Sequence, residues 1–354
     1  NLTIASSGSE NIIIDSADDI IFDADGGDIK IKDGGTQYGL IANSSTDLII
    51  QSTVSDKDII IRGNDGGSTI IALTLDMSDA GKAIFGGGIQ STAGTIRLDG
   101  NFPVSTNNVA LGDTAFQSVT TASNNTCIGN AAGASVTESN FNTVMGSTAL
   151  DAQTTGGRNV AIGYAALGAD TTGGRSTAVG FGALNTQNFT DGSITYNTAL
   201  GYDALAACTT GANNTAVGYA AGTAITTGAY NTAVGVDPLK TKTSGHTNTA
   251  IGYHALRLNT TGYHNVAIGA SDNSSVGAPL GANTEGRNNI AIGRGALKAN
   301  TTGKNNVAVG DDALGSNTTA DKNTAVGKDA MNLNTTGYGN TAVGRNSLDA
   351  NTEG

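Results

Sequence analysis

The sequence of 354 residues is poor in the large side chains that fill a deep globular core. It has no Trp, aromatic residues make up 5% of it, and Gly occupies 51 positions. An interior built from such residues has to be thin and lined by small aliphatic side chains. Repeat architectures satisfy this limit because each layer only has to cover its neighbour. With only three prolines, long runs of backbone pairing are possible.

Positive charge and long apolar runs are also scarce. Lys and Arg number 18 against 30 Asp and Glu, a formal net charge of −12, and residues 1–105 hold 15 acidic and 6 basic residues. No basic patch can neutralise phosphates, so no nucleic-acid partner is expected. No stretch approaches the roughly 18–20 apolar residues that span a bilayer, so no membrane insertion is expected. Because the first residue is Asn1 rather than Met, we expect a fragment of a longer product.

The two cysteines, Cys127 and Cys208, are too few for a disulfide framework. They fall at different positions of the repeat described next, four coils apart. At roughly 4.8 Å per coil that separation is about 19 Å, which exceeds the reach of a disulfide. Both are therefore expected to be unpaired.

One pattern recurs from Asn108 onward: Asn, Thr or Val, Ala, an aliphatic residue and Gly, followed by Ala-Leu and then Thr-Thr-Gly. The closing glycines are spaced by 17 residues except for one step of 21 and one of 24, which gives fourteen units. Seventeen residues are too few for the common helical repeats. They suffice for one flattened coil of two short strands and two turns. The sequence thus predicts a parallel β-solenoid of fourteen 17-residue coils over residues 108–354.

The residue types in the unit, numbered from its opening Asn, suggest an inside and an outside. The second residue is always β-branched and the fourth is always Leu, Ile, Val or Met. They share a face under the two-residue period of a strand, so we expect both to point inward. Ala, which fills the third position in twelve units and the eighth in eleven, then faces outward. Because small outer residues let another surface pack closely, this alanine face is the residue-level argument for an oligomer.

Asn opens thirteen of the fourteen units, and Ser176 is the exception. Two interpretations of this position are open. Stacked coils would align the amides in a ladder in which each bonds the next. Alternatively, each Asn would stabilise only its own local turn. Both interpretations fit the same fold.

The unit at residues 214–221, Asn-Thr-Ala-Val-Gly-Tyr-Ala-Ala, resembles the head repeats of trimeric autotransporter adhesins. This resemblance implies a left-handed parallel β-roll with three chains side by side. The 17-residue form with Asn-Thr-Thr-Gly, at 259–262, 300–303 and 334–337, more closely resembles repeats of phage tail-fibre proteins. Residues 46–67 resemble segments of tail-fibre-like proteins of marine phages. Together these resemblances imply a virion tail fibre, with other virion or fibre proteins and a host cell-surface receptor as partners.

Residues 1–75 hold short aliphatic runs separated by Asp and Gly. The runs lie at 2–4, 12–14, 20–22, 29–31, 48–50 and 59–61. Strands this short cannot bury themselves in a monomer, so we expect three intertwined chains to form an acidic shaft over 1–75. Residues 76–107 are expected to be a transition segment. The complete expectation is an all-β fibrous homotrimer with an N-terminal intertwined β-strand shaft followed by the solenoid.

Candidate binding residues lie in an aromatic row and in two insertions. The sixth repeat position carries Tyr164, Phe181, Tyr202 and Tyr219 in successive coils. Such a row could stack on sugar rings, or its rings could pack on one another over a turn. The coil opened by Ser176 has four extra residues, and the coil opened by Asn265 has seven and loses the usual Ala-Leu. Insertions leave a solenoid as surface loops, unless they reflect neutral drift in loop length. The candidate receptor contacts in them are Phe189, Asp191, Tyr196, Asp272 and Asn273.

Other possible sites are weaker, and no catalytic set can be assembled. The acidic run at 23–28 fails the calcium-loop template because Gly27 stands where a ligand is needed. His246, His254 and His264 are solvated surface residues or, alternatively, a metal or pH-sensitive site. We therefore expect no enzyme activity, no cofactor and no metal.

The predicted function is that of a structural phage tail fibre that displays or forms an adhesion surface. The alternatives are a bacterial trimeric surface adhesin and an ice-binding solenoid that presents the repeated Thr-Thr pairs.

Overall fold

The computed structural model describes residues 28–45, 47–78, 82–85, 100–102, 105–241, 243–271 and 277–353. That part of the chain is all-β and contains no helix. It divides into two compact units, Asn1–Arg97 and Leu98–Gly354.

The first unit holds two antiparallel three-stranded sheets. One contains β1 (Ile29–Asp33), β2 (Thr36–Ser44) and β3 (Asp47–Ser52), and the other contains β4 (Ile59–Asp65), β5 (Ser68–Asp76) and β6 (Lys82–Phe85). The predicted strands at 29–31, 48–50 and 59–61 are confirmed, whereas the runs at 2–4, 12–14 and 20–22 lie outside the described residues. Each strand turns back on its neighbour through a short connection, as in the turns at Gly34-Gly35 and Gly66-Gly67, whose four glycines all have positive φ.

Within the described residues, these two sheets bury no hydrophobic core. Among the side chains described in this unit, none of the hydrophobic ones is buried, and Leu48 is 75% exposed. Ile50, Ile60, Ile61 and Ile70 are also exposed. Because such apolar surface is costly in water, the sheets require a covering surface that one chain does not supply within the described residues. The intertwined shaft itself stays a prediction.

The second unit is one 15-stranded sheet that runs through the solenoid. It begins with β7 (Gly100–Phe102), which pairs antiparallel to β8 (Ser105–Leu111), and from β8 onward every pairing is parallel. The remaining strands are β9 (Thr126–Ile128), β10 (Thr143–Met145), β11 (Val160–Ile162), β12 (Thr177–Val179), β13 (Thr198–Leu200), β14 (Thr215–Val217), β15 (Thr232–Val234), β16 (Thr249–Ile251), β17 (Val266–Ile268), β18 (Ile290–Ile292), β19 (Val307–Val309), β20 (Thr324–Val326) and β21 (Thr341–Val343). Equivalent repeat positions pair throughout, so the coils stack in register.

The parallel β-solenoid is thus confirmed: fourteen strands, β8 to β21, are linked by about 13 turns of roughly 17 residues. Each turn contains one three-residue strand instead of the expected two. Turns make up the rest of the coil, and several of their residues adopt the left-handed conformation. Leu150, Leu167 and Leu184, all at the ninth repeat position, have φ of 51°, 53° and 52°. This conformation costs roughly 1–2 kcal/mol for a residue with a side chain, and full burial of Leu offsets it with about 1.5–3 kcal/mol.

The expected inside and outside of the strand are reversed. Ala161 and Ala178, at the third position, are buried, as is Ala166 at the eighth. The second and fourth positions, such as Val160 and Ile162, lie outward and are partly exposed. The reason is that Leu at the ninth position already fills the thin interior, so the strand that faces it has room only for Ala. The outer alanine face, and the argument for an oligomer that rested on it, are therefore wrong.

The opening asparagines form the ladder that one interpretation predicted. Asn214, Asn231 and Asn248 are buried, and the Oδ1 of each accepts a hydrogen bond from the backbone N–H of the next opening residue. The N···O distances are 2.9 Å from Asn231 to Asn214 and 3.0 Å from Asn248 to Asn231. The Nδ2 of Asn214 donates to the carbonyl of Gly228 at 2.8 Å. Each amide therefore links two coils and also ties the start of its coil to the final turn.

The glycine that closes each strand permits this close stacking. Gly129 has φ of +130°, and a Cβ added to it would lie 2.7 Å from the carbonyl carbon and oxygen of Gly146, one coil further on. Since real Cβ atoms do not approach backbone so closely, any other residue would force the two coils apart.

Candidate binding surfaces

The aromatic row at the sixth position packs on itself. The ring centroids of Tyr164 and Phe181 are 5.0 Å apart, those of Phe181 and Tyr202 5.2 Å, and those of Tyr202 and Tyr219 5.5 Å, all in stacked geometry. Each ring remains about half exposed. Because neighbouring rings cover both faces of Phe181 and Tyr202, a sugar ring could reach only their edges. The four rings form a rigid ridge along the solenoid.

The first insertion folds against the preceding coil. Phe189 is 8% exposed, and its carbonyl accepts hydrogen bonds from the backbone and hydroxyl of Thr172 at 3.1 and 2.7 Å. Asp191 is exposed and accepts hydrogen bonds from Ser193, which lower the pKa of its carboxyl. Tyr196 is exposed as well. Of the three candidate contacts in this insertion, Asp191 and Tyr196 present their side chains to solvent and Phe189 does not.

The second insertion lies partly outside the described residues, and Asp272 and Asn273 are among those not described. The chain rejoins the stack at Pro279 and Leu280, where the backbone N–H of Leu280 donates to the carbonyl of Ala296 at 3.0 Å. Leu280 is buried and has φ of 50°, like the other leucines of the ninth position. The Leu of the usual Ala-Leu pair is therefore kept after the inserted residues, with Pro279 in place of the Ala.

A column of aromatic and arginine side chains runs along the turn just before the strand. Arg158 and Arg175 occupy the last position of consecutive coils, between Phe141 and Tyr196 at the same position. The Arg158 guanidinium carbon lies 5.3 Å from the centroid of the Phe141 ring, and that of Arg175 lies 5.7 Å from the Tyr196 ring. Arg175 Nη1 also donates to the Tyr196 hydroxyl at 2.7 Å. All four side chains are exposed. We call this set the arginine–aromatic column.

Within the described residues, the two arginines have no acidic partner, unlike Arg294 and Lys298. On another edge, Arg294 Nη2 lies 3.0 Å from a carboxylate oxygen of Asp311, and Lys298 Nζ lies 2.7 Å from one of Asp312. No carboxylate of the described residues pairs with Arg158 or Arg175, whose polar and ring contacts are those given above. This column was not predicted from the sequence because its members are 17 and 21 residues apart and differ in type. Tabulating the last position of each coil would have placed Phe141 beside Arg158.

The three histidines do not form a single cluster. His246 stacks on Tyr263 with centroids 5.1 Å apart, and His264 meets both rings edge-on. His254 lies apart from them, with Nε2 3.7 Å from Asp237 Oδ2. Burial and the nearby Arg257 lower the pKa of His254 against the opposing effect of Asp237. In the part of the chain that the structure describes, no three His, Cys, Asp or Glu side chains come together in a way that could hold a metal.

The cysteines are unpaired, as expected. Cys127 and Cys208 are both buried free thiols, and burial raises the pKa of each to about 12. Both are therefore protonated at neutral pH and have little nucleophilic character.

The hydroxyls of the first Thr in the Thr-Thr pairs bond within the stack. Thr154 Oγ1 donates to the carbonyl of Thr171 at 3.1 Å, and Thr209 Oγ1 donates to that of Thr226 at 3.2 Å. A regular array that matches ice would need these hydroxyls directed at water. Their use inside the solenoid gives no support to the ice-binding alternative.

The outward side of the parallel strands carries a row of aliphatic residues. The row is the fourth repeat position, which is always Leu, Ile, Val or Met, and Leu200 and Ile251 there are 46% and 37% exposed. The second position, on the same side, is Thr in nine coils and Val or Ile in five. Leu111, Met145, Ile290, Ile292, Val326 and Val343 are exposed in the same strands. We call this surface the strand face. Apolar patches that run over many coils are unusual on monomers and mark interaction surfaces.

Comparisons with known proteins add no relative: no family model, no curated protein and no solved structure matches the chain. None of the residues that the structure describes belongs to a helix long and apolar enough to cross a membrane. The class that the fold defines is therefore a parallel β-solenoid repeat protein.

Proposed function

We propose that this chain is a non-enzymatic structural protein of a phage tail fibre, located in the virion, which assembles as a homotrimer and displays a surface for host attachment. The strand face carries this proposal. An aliphatic side chain recurs at the fourth position of every coil, beside a β-branched Thr, Val or Ile at the second, and one copy of the chain leaves both positions partly exposed. Copies packed side by side along the solenoid axis would bury them together.

The first unit supports the same assembly. Its described side chains include no buried hydrophobic residue, although its strands are rich in Ile and Leu. Three chains wound about one axis would supply the missing interior, as the predicted shaft requires. The resemblance to tail-fibre and adhesin-head repeats favours three copies over two. A bacterial trimeric surface adhesin shares all these physical requirements and is the second candidate.

The oligomer is tested by sedimentation of the purified chain. Leu200→Asp combined with Ile251→Asp places two charges on the strand face, and the variant should sediment as a monomer. Leu258→Asp combined with Leu333→Asp is the matched control, because those leucines are 41% and 51% exposed but lie in turns away from the strands. The control should keep the parent's mass. A parent chain that is a well-folded monomer at micromolar concentration would contradict the proposal.

The two candidate locations are separated by immunogold electron microscopy with antibodies against the solenoid. Label on the tails of purified virions supports the tail fibre. Label on the surface of bacterial cells free of phage supports the adhesin instead. Label on neither particle would reject both.

A further inference from the structure

We propose that the arginine–aromatic column binds an acidic sugar residue of an anionic glycan, with Arg158 and Arg175 holding the acidic group and Phe141 and Tyr196 flanking the ring. This assigns a ligand class to the displayed adhesion surface and in that sense rests on the proposed function. The residues differ from the aromatic row and the insertions that the sequence analysis singled out, apart from Tyr196.

The stacking of the coils places the two arginines on adjacent coils. The strands that follow them pair in register, with Val160 opposite Thr177, so the two arginine backbones are about one strand spacing, roughly 4.8 Å, apart. Gly157 and Gly174 precede the arginines, so the position before each arginine carries no side chain. The result is an exposed pair of cationic side chains that lies between the Phe141 and Tyr196 rings.

Electrostatics favours an anion at this pair. Two like charges so close repel each other, and no carboxylate of the described chain offsets them. A carboxylate or sulfate placed between them would accept charge-assisted hydrogen bonds from both guanidinium groups. Each arginine already leans on a ring, and Tyr196 holds Arg175 by its hydroxyl. Less side-chain freedom is then lost on binding than for a free surface arginine.

The aromatic flanks indicate a sugar rather than a bare ion or a nucleic acid. Phe141 and Tyr196 are about half exposed, and their rings offer apolar surface to the C–H groups of a pyranose. A nucleic acid carries a phosphate at every nucleotide and needs a matching track of cations. This chain has a net charge of −12, and the column supplies only two adjacent cations. An acidic sugar flanked by neutral surface fits the site better.

The test measures binding of purified chain to immobilised glycans of defined charge: polygalacturonate, dextran sulfate and neutral dextran. Arg158→Gln combined with Arg175→Gln should weaken binding of an acidic glycan by about tenfold or more. Lys304→Gln combined with Lys322→Gln is the matched control. It also removes two positive charges, because Lys304 is the next-to-last residue of the coil at 289–305 and Lys322 is the last residue of the coil at 306–322. Neither lysine has an ion-pair partner in the described chain. The control should change the dissociation constant less than about twofold.

Binding of polygalacturonate or of dextran sulfate supports the proposal, and the tighter of the two identifies the acidic group as a carboxylate or a sulfate. Four results overturn it: equal weakening in the two variants, equal binding of neutral dextran, binding to neither acidic glycan, or tighter binding of single-stranded DNA. Sedimentation of the arginine variant is the further control, because dissociation of its oligomer would mean that the arginines pair with a second copy. Since neither virions nor cells are involved, failure here leaves the fibre role standing, and unlabelled virions in the immunogold experiment would leave the glycan result standing.

Discussion

Replacing Asn231 with alanine should break the amide ladder at one rung. The Oδ1 of Asn231 accepts the backbone N–H of Asn248 at 3.0 Å, and its Nδ2 donates to the carbonyl of Gly245 at 3.2 Å. All three residues are buried. Alanine fits the space but leaves the Asn248 donor and the Gly245 acceptor without these partners.

The magnitude follows from the two orphaned groups. A buried polar group without a partner costs about 1–3 kcal/mol, so the pair should cost about 2–6 kcal/mol. Asn130→Ala is the matched control, because its amide is exposed and its single bond, to the carbonyl of Asp113, is a long 3.4 Å. The control should lie within about 0.5 kcal/mol of the parent.

Amide hydrogen exchange resolves this effect at the affected rung. In a repeat protein each coil contacts only its neighbours, so the loss should stay local. The Asn248 amide should exchange at least about 30 times faster in Asn231→Ala, the factor that corresponds to the lower limit of about 2 kcal/mol. Amides several coils away should keep their rates. Unchanged exchange at Asn248 would show that the ladder contributes no stability and that backbone pairing alone holds the coils.

Three further predictions concern the interior and the stacking. Ala199→Asp places a charge in the buried interior and should cost several kcal/mol of stability. Leu200→Asp, at the next and exposed residue, should leave its coil folded. Similar urea midpoints for the two variants would mean that the inside and outside of the strand are again misassigned. Gly129→Ala should cost about 2–4 kcal/mol of stability, because it adds a clash with the next coil to an unfavourable φ. Gly192→Ala, whose Cβ would meet no atom within 4 Å, should cost only about 1 kcal/mol. Equal losses of stability in the two variants would argue against the close approach of Gly129 to Gly146. Burial raises the pKa of the Asp170 carboxyl against the lowering effect of its hydrogen bonds. The folded chain therefore holds that proton more tightly than the unfolded chain does. The contribution of the protonated carboxyl to stability falls as pH rises from about 4 through the folded pKa. Asp170→Asn has no such proton, so its free energy of unfolding relative to the parent should increase with pH over that range, and a constant difference would contradict the shift.

Repeat spacing predicted the architecture because it depends only on which residues recur. The closing glycines and the three-residue strands fell where the spacing placed them. The second strand of the coil did not form, because residues such as Leu150 take a left-handed conformation that no strand allows. The arginine–aromatic column was not predicted because its residues differ in type. Phe141, Arg158 and Arg175 follow the 17-residue spacing, and Tyr196 joins them when the 21-residue coil opened by Ser176 is stacked in register.

The reversal of inside and outside could have been avoided, because it was tied to the choice between the two interpretations of the asparagines. In a strand, the first and third residues share one face, and the second and fourth share the other. A ladder of amides that bond coil to coil has to be shielded from water, which would compete for every hydrogen bond. If the first position is buried in such a ladder, alternation buries the third as well. Ala at the third position was then the expected lining of a narrow interior, and the branched residues on either side of it had to face outward.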